Sequence, residues 1–280
     1  AKKFHKSTGL EVCAGGLSSW IKKHDKHSLP RKAMVVVSER NLGRVTAQLI
    51  KAGVKEILVE KPGGYDSADI RRVGKLAKQH RAKVYVAYNR RFYESARKAR
   101  KIIAKDGGVI SFHFEFTEWS HVIVKLKKEP GVKAQLFFSN STHPIDLAFF
   151  LGGRPKKISS YAAGRLSWGP KNSIFTGAGV AENKALFSYQ ANWQAPGRWS
   201  VEILTCKHRL IFKPLETLKI QKLGSLAIGD IALSDILDRK FKPGVYRLIK
   251  SFLGDKRDLP TIENQIQMLG YYELMNTHNT

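Results

Sequence analysis

Between residues 33 and 105 the chain alternates strand-forming and helix-forming segments, and this rhythm constrains its fold more than any other feature. Ala33 to Ser38 (AMVVVS) is a β-branched run suited to a buried parallel strand. Leu42, Val45, Leu49 and Ile50 then recur at helical spacing within residues 41–52, and Gly53 supplies the stop. A second strand is predicted at 56–59, running into Glu60-Lys61-Pro62. Ser67 is placed to cap a helix reaching about His80, KVYVA at 83–87 is a third strand, and a basic helix runs from about Tyr93 to Lys105. Such alternation points to a parallel sheet with helical crossovers.

After Gly107-Gly108 the rhythm changes. Residues 110–119 (ISFHFEFTEW) alternate as a half-buried strand does, and similar segments recur at 157–162, 185–193, 199–206, 208–213 and 216–221. One helix intervenes, carrying His143 to Leu151. The second part therefore reads as an open antiparallel sheet with helices on one face, and the boundary falls near Asp106.

No apolar run approaches the ~20 residues that span a bilayer, so a soluble protein without a membrane partner is expected. Cys13 and Cys206 are far apart and match no metal or redox spacing. That points to a reducing intracellular compartment and no metal site. The first residue is Ala1, which fits a trimmed initiator methionine, an altered terminus or a removed organellar targeting segment. The mitochondrial matrix and the cytoplasm both stay open.

Three ordered segments carry a resemblance: VKEILVEKPGG at 54–64, VYVAYNRRF at 84–92 and NSTHPIDLAFFLGG at 140–153. Together they resemble the glucose-fructose oxidoreductase / inositol dehydrogenase (Gfo/Idh/MocA) family of NAD(P)-dependent oxidoreductases. The resemblance spans about Ala33 to the end. It implies an α/β plus α+β fold, with a Rossmann-like domain over 1–106 and the family's C-terminal α+β domain over 107–280. It places Lys61 beside nicotinamide and substrate and His143 at the general acid/base position. Glu60, Lys61, Pro62, Tyr88, Asn89 and Arg90 become cofactor-side candidates. A lysine at a strand end lowers the pKa of a substrate hydroxyl, and an imidazole takes the proton as hydride leaves. The plain alternative for His143 is a helix-start residue that only hydrogen-bonds. Many members carry an Asp four residues before that histidine, where this chain has Ser139.

The front of the chain departs from the family. About 32 residues precede the Ala33 strand, with Gly9 and Gly15-Gly16 but no G-x-G-x-x-G. Without that loop no preformed pyrophosphate site is expected. The first βαβ unit looks deleted, the Rossmann-like sheet incomplete, and one strand edge in need of cover by a rearranged N-terminus, a protein neighbour or an RNA surface.

Charge sharpens this expectation. The formal net charge is +26, with 26 basic and 9 acidic residues up to position 110 against 23 and 14 beyond it. The excess fits RNA or another polyanion as partner, because each neutralised phosphate releases a counterion. Candidate contacts are Lys2, Lys3, Lys6, Lys22, Lys23, Lys26, Arg31 and Lys32 at the front, Arg71 and Arg72 on one helix, and Arg97, Lys98, Lys101 and Lys105 on the next. A solvated surface is the plain reading of each cluster alone. The expected function is a non-catalytic structural subunit of a ribonucleoprotein, an organellar (mitochondrial) ribosome first, with no cofactor. The alternative is an NAD(P)-dependent oxidoreductase acting on a sugar or cyclitol hydroxyl, and a third reading is a scaffold that binds protein only.

Overall fold

The computed structural model describes residues 2–24 and 28–277, Lys2 by its backbone alone. Helices α1 (Lys2–Thr8) and α2 (Gly16–Lys23) lead in, and α2 rests on the next helix through Gln48 Nε2 donating to Ser18 Oγ at 3.1 Å. The predicted alternation then follows: β1 (Lys32–Val35), α3 (Leu42–Ala52), β2 (Glu56–Glu60), α4 (Ser67–Gln79), β3 (Lys83–Ala87) and α5 (Glu94–Lys105). Gly53 ends α3 at φ 114°, a conformation that costs glycine nothing. Asp66, one residue before Ser67, is the N-cap of α4, and its carboxylate accepts from the Asp69 backbone N–H at 2.8 Å.

The strands pair in parallel in the order β1-β2-β3. Strand alternation sends Val35, Ile57, Val59, Val84 and Val86 into the main core, while Leu58 and Tyr85 face a second cluster with Phe92, Leu248, Phe252 and Leu259. The outer edge of β3 is covered by the chain's return, where the Val86 N–H donates to Pro260 O at 2.9 Å. Among the described residues β1 pairs with β2 alone, and Met34, Val36 and Val37 beside it are exposed.

The second sheet orders as β11-β10-β9-β8-β4-β7-β6-β5. Its chain path is β4 (Ser111–Glu115), the short α6 (Ser120–Ile123), a π-helical turn at Phe137–Ser141, α7 (Thr142–Gly152), β5 (Pro155–Ala163), β6 (Ile174–Ala181), β7 (Leu186–Asn192), β8 (Ser200–Leu204), β9 (His208–Phe212), β10 (Lys219–Lys222) and β11 (Ile228–Asp230). Helices α8 (Ile236–Lys240), α9 (Val245–Leu253) and α10 (Ile262–Met275) follow, and the last two return to the first sheet: α9 to its second face, α10 against α4 and β3. The antiparallel expectation fails at one pair, because β4 and β7 run parallel. Between them the chain passes through α6, α7, β5 and β6, long enough to re-enter the sheet in the same direction. Strand β6 (IFTGAGVA) escaped the sequence reading because two glycines dilute its apolar alternation.

Helix α7 packs on the sheet's inner face, where Phe149 meets Phe112, Phe114 and Phe187 edge-on with ring centroids 5.2–5.9 Å apart and Phe112 stacks on Phe187 at 5.2 Å. Gly152 leaves room for this cluster: a Cβ there would lie 2.4 Å from the Phe112 ring, which is locked among its neighbours. Gly152→Ala is therefore expected to cost about 1–3 kcal/mol through overpacking. Chemical denaturation checks this, and an unchanged midpoint would show that the ring yields.

Candidate active site

Lys61 stands immediately after β2, at the carboxyl end of the parallel sheet where open α/β sheets bind ligands. Its ammonium donates to the Ser139 carbonyl. That carbonyl belongs to the π-helical turn, whose wider i→i+5 bonding re-aims backbone groups at the entrance of α7. Burial, together with the Arg90 charge, pulls the Lys61 pKa down to about 8, with Glu60, Glu39 and Glu118 opposing.

His143 is the second residue of α7 and is 7% exposed. Its ring meets Tyr88 edge-on and Trp199 at a tilt, each at 6.0 Å between centroids, and its Nδ1 has no partner. Burial holds its pKa well below the ordinary histidine value, and the charges of Lys61, Arg90 and Lys242 add to that. At neutral pH the imidazole is therefore uncharged.

Glu118 joins these two, a residue that the sequence reading passed over. Its carboxylate is 1% exposed and accepts from Asn140 Nδ2 and Ser141 Oγ, each at 2.8 Å, with an Arg198 guanidinium nitrogen at 3.8 Å. Burial raises its pKa to about 7, against the opposing pull of Ser141, Arg198, Asn140 and Trp199. A signal for it existed in the chain. Phe112, Phe114 and Phe116 point inward, and Glu118 continues the same even-numbered phase.

A glutamate with a raised folded-state pKa stabilises the fold most below its unfolded value near 4.5, and that contribution is lost as pH rises through about 7. Glu118→Gln is therefore expected to flatten the stability change between about pH 4.5 and 7. Melting curves of variant and parent across that window check it, and identical slopes would refute it.

The other predicted residues take different places. Glu60 accepts the Lys61 backbone N–H at 3.0 Å. Pro62 is buried behind Lys61. Tyr88 has no exposed surface; its hydroxyl accepts from Gln265 at 3.0 Å and its ring supports His143. Asn89 is turned toward the return of the chain, donating to Pro243 O at 2.9 Å. Arg90 lies over the Trp199 ring at 4.7 Å. A cleft of about 180 Å³ opens beside Lys61, lined by Glu39, Lys128, Leu136 and Asn140 among others.

Of the predicted basic contacts, Lys26 and the Lys2 side chain lie outside the described residues. Lys3, Lys6, Lys22 and Lys23 are exposed on the leading helices. Arg31 and Lys32 pair with Glu56, Arg71 with Glu273, Arg72 with Asp69 and Arg97 with Glu94. Lys98, Lys101 and Lys105 form an exposed stripe on α5 with no ion pair among the described residues.

These residues can be tested against a nicotinamide dinucleotide in two halves. At its reacting end Lys61 lines the cleft, and His143 lies near enough to feel the Lys61 charge, though it does not line that cleft. Its pyrophosphate does not fit. The Gly63-Gly64 pair before α4 is filled by Val86, Ile262 and Ile70, and the carboxylate of Asp66 already caps that helix. The turn before α3 presents Glu39, which is bonded to Lys128 at 2.7 Å.

No family model matches the chain, and no curated protein matches it by sequence. Solved structures do match it. An NAD binding oxidoreductase from Klebsiella pneumoniae is similar at TM-score 0.77 and 16% identity, over 98% of this chain and 84% of that one. The chain shares the fold of that structure. An inositol dehydrogenase homolog from Azotobacter vinelandii, solved with NADH and myo-inositol, gives 0.73 and 15%, over 98% and 83%. A UDP-N-acetylglucosamine 3-dehydrogenase from Acidithiobacillus ferrooxidans gives 0.72 and 14%, over 99% and 85%. These likenesses agree with the family resemblance at the level of the fold. No helix among the described residues is long and apolar enough to cross a membrane, and no group of three or more metal-ligating side chains occurs there.

Proposed function

We propose that this chain carries the substrate-side chemistry of an NAD(P)-dependent oxidoreductase acting on a sugar or cyclitol hydroxyl. The observation that carries the reading is a lysine brought near its titration point, at about 8, beside a buried neutral histidine with a free ring nitrogen. A structural subunit has no use for either, since each costs stability where it stands. In this reading the Lys61 ammonium hydrogen-bonds the reacting hydroxyl and stabilises its developing alkoxide, and His143 takes its proton. Glu118 holds Asn140 and Ser141, and so the entrance of α7. A nicotinamide held beside Lys61 would supply the hydride acceptor.

Titration with NADH and NADPH, followed by turnover on a panel of polyols, tests the reading. Binding together with loss of turnover in His143→Asn supports it, and absence of both binding and turnover sinks it. The polyanion reading keeps one observation in its favour, the unpaired Lys98, Lys101 and Lys105 stripe. RNA binding that weakens steeply with salt, and less steeply once these lysines are replaced, would support it.

A further inference from the structure

Strand β1 leaves one edge of the parallel sheet open. Among the described residues it pairs with β2 alone, and Val36 and Val37 carry its apolar run onward at 74% and 42% exposure. Proteins commonly guard such an edge with a proline, a bulge or a lysine standing over the free backbone groups. None of these guards β1. It contains no proline, and its register with β2 is unbroken. Its single lysine, Lys32, is drawn away to the end of α9, where Nζ donates to the Leu253 carbonyl at 2.8 Å and the Phe252 carbonyl at 3.3 Å.

An apolar groove runs beside this edge. Met34 stands opposite Leu58 in the register, on the face that meets α9, and Val36 follows two residues on. Met34, Val36 and Leu58 form one side of the groove and Val245, Leu248 and Ile249 of α9 the other, around about 80 Å³. That suits one apolar side chain of a strand laid along β1, whose successive side chains alternate between the two faces.

Charge narrows the choice of strand. At the start of β1 the Glu56 carboxylate faces Lys256 at 3.1 Å, Arg31 at 3.5 Å and Lys32 at 3.8 Å. Asp255, next to Lys256, is taken by Arg257 at 3.5 Å. At the far end one cation and one acid line the groove, Lys242 and Glu60. The open edge is thus cationic where it begins and balanced where it ends, in a chain of formal net charge +26. A second copy of the chain would meet like charge there, and an acidic segment opposite charge.

We propose that β1 is a docking edge for an extended acidic segment of a partner protein. The segment adds to the sheet as a strand beside β1 and sets an apolar side chain against α9. Its carboxylates meet Arg31, whose side chain is 80% exposed. Docking at this edge does not depend on the oxidoreductase reading.

The test is a calorimetric titration of the full chain with a short synthetic peptide that alternates valine and glutamate, with amide hydrogen exchange followed over residues 32–37. The peptide is expected to bind at micromolar concentration and to slow exchange there. Backbone N-methylation of the peptide should weaken binding about tenfold or more, because it removes the donors that strand addition uses. Lysine in place of glutamate should weaken it by at least about as much. Val36→Glu, with an unchanged melting curve, is expected to lose the peptide; Met34→Glu is the second variant should the first not fold. No binding by the glutamate peptide, or binding without slowed exchange at 32–37, overturns the docking edge. A methylated peptide that binds equally well rules out strand addition, and a lysine peptide that does so rules out the acidic partner. Sedimentation of the chain alone addresses a second copy: a dimer that Val36→Glu disperses assigns the edge to self-association and sinks the proposal. An RNA oligonucleotide that displaces the peptide and slows exchange at 32–37 sinks it as well.

Discussion

Asp146→Ala is expected to destabilise the protein by about 3–5 kcal/mol, a larger loss than that expected of Gly152→Ala. Asp146 lies on α7, 5% exposed, and accepts from Arg91 Nε at 2.8 Å and from a second Arg91 nitrogen at 2.6 Å. The pair joins the helix that carries His143 to the turn that carries Asn89 and Arg90. Removing the carboxylate leaves a guanidinium inside the protein with only the Phe150 ring at 4.7 Å and a long contact, 3.5 Å, to the Asp258 carbonyl. An uncompensated buried charge is what makes breaking such a pair so costly, even where the intact pair adds little. Urea denaturation measures the effect as a lower midpoint at unchanged slope. A loss under about 1 kcal/mol would mean that water or another acid reaches Arg91.

Lys61→Met is expected to act in opposite directions on function and on stability. Under the proposed function it abolishes turnover, because nothing then stabilises the developing alkoxide. At pH 7 it is expected to stabilise the fold by about 1–2 kcal/mol. Holding the Lys61 pKa at about 8 in place of 10.5 makes its charged form unfavourable in the folded state, and one pKa unit is worth about 1.4 kcal/mol. Solvent that still reaches the side chain and the lost bond to Ser139 both reduce the gain below that full value. The pH dependence has a definite sign. A lysine with a depressed folded-state pKa is favourable above about 10.5, and that benefit is lost as pH falls through about 8. The advantage of the variant should therefore be full below about pH 8 and shrink toward pH 10. Thermal melts across this range measure it. A variant less stable than the parent at pH 7 would make Lys61 a packing residue and remove the main support for the proposed function.

The parallel layer was legible in the chain because parallel strands buried on both faces read as short β-branched runs, as KVYVA does; AMVVVS reads the same way, although β1 ends at Val35 and leaves Met34, Val36 and Val37 exposed. Its helices were legible from apolar spacing and from Gly53. The second layer was legible where alternation was strict, as in ISFHFEFTEW, and lost where glycines interrupt it, as in β6. Lys61 and His143 were reachable through their motifs alone. Glu118 lacked a motif, though its phase with three inward phenylalanines marked it. Arg198 lacked both, because its place on two tryptophans depends on where 118–119 and 198–199 meet across the fold.

The amino-acid sequence by itself determined the strand–helix rhythm, the change of rhythm near Asp106 and the types of residue available for chemistry. These follow from local periodicity, which each segment carries within itself. Tertiary structure alone decided that β4 and β7 run parallel, that α9 and α10 return to the first sheet, and that Lys61, Glu118 and His143 share one buried site. Their acidities lie far from the ordinary values because burial and neighbouring charge set them, and both arise only when distant parts of the chain pack together.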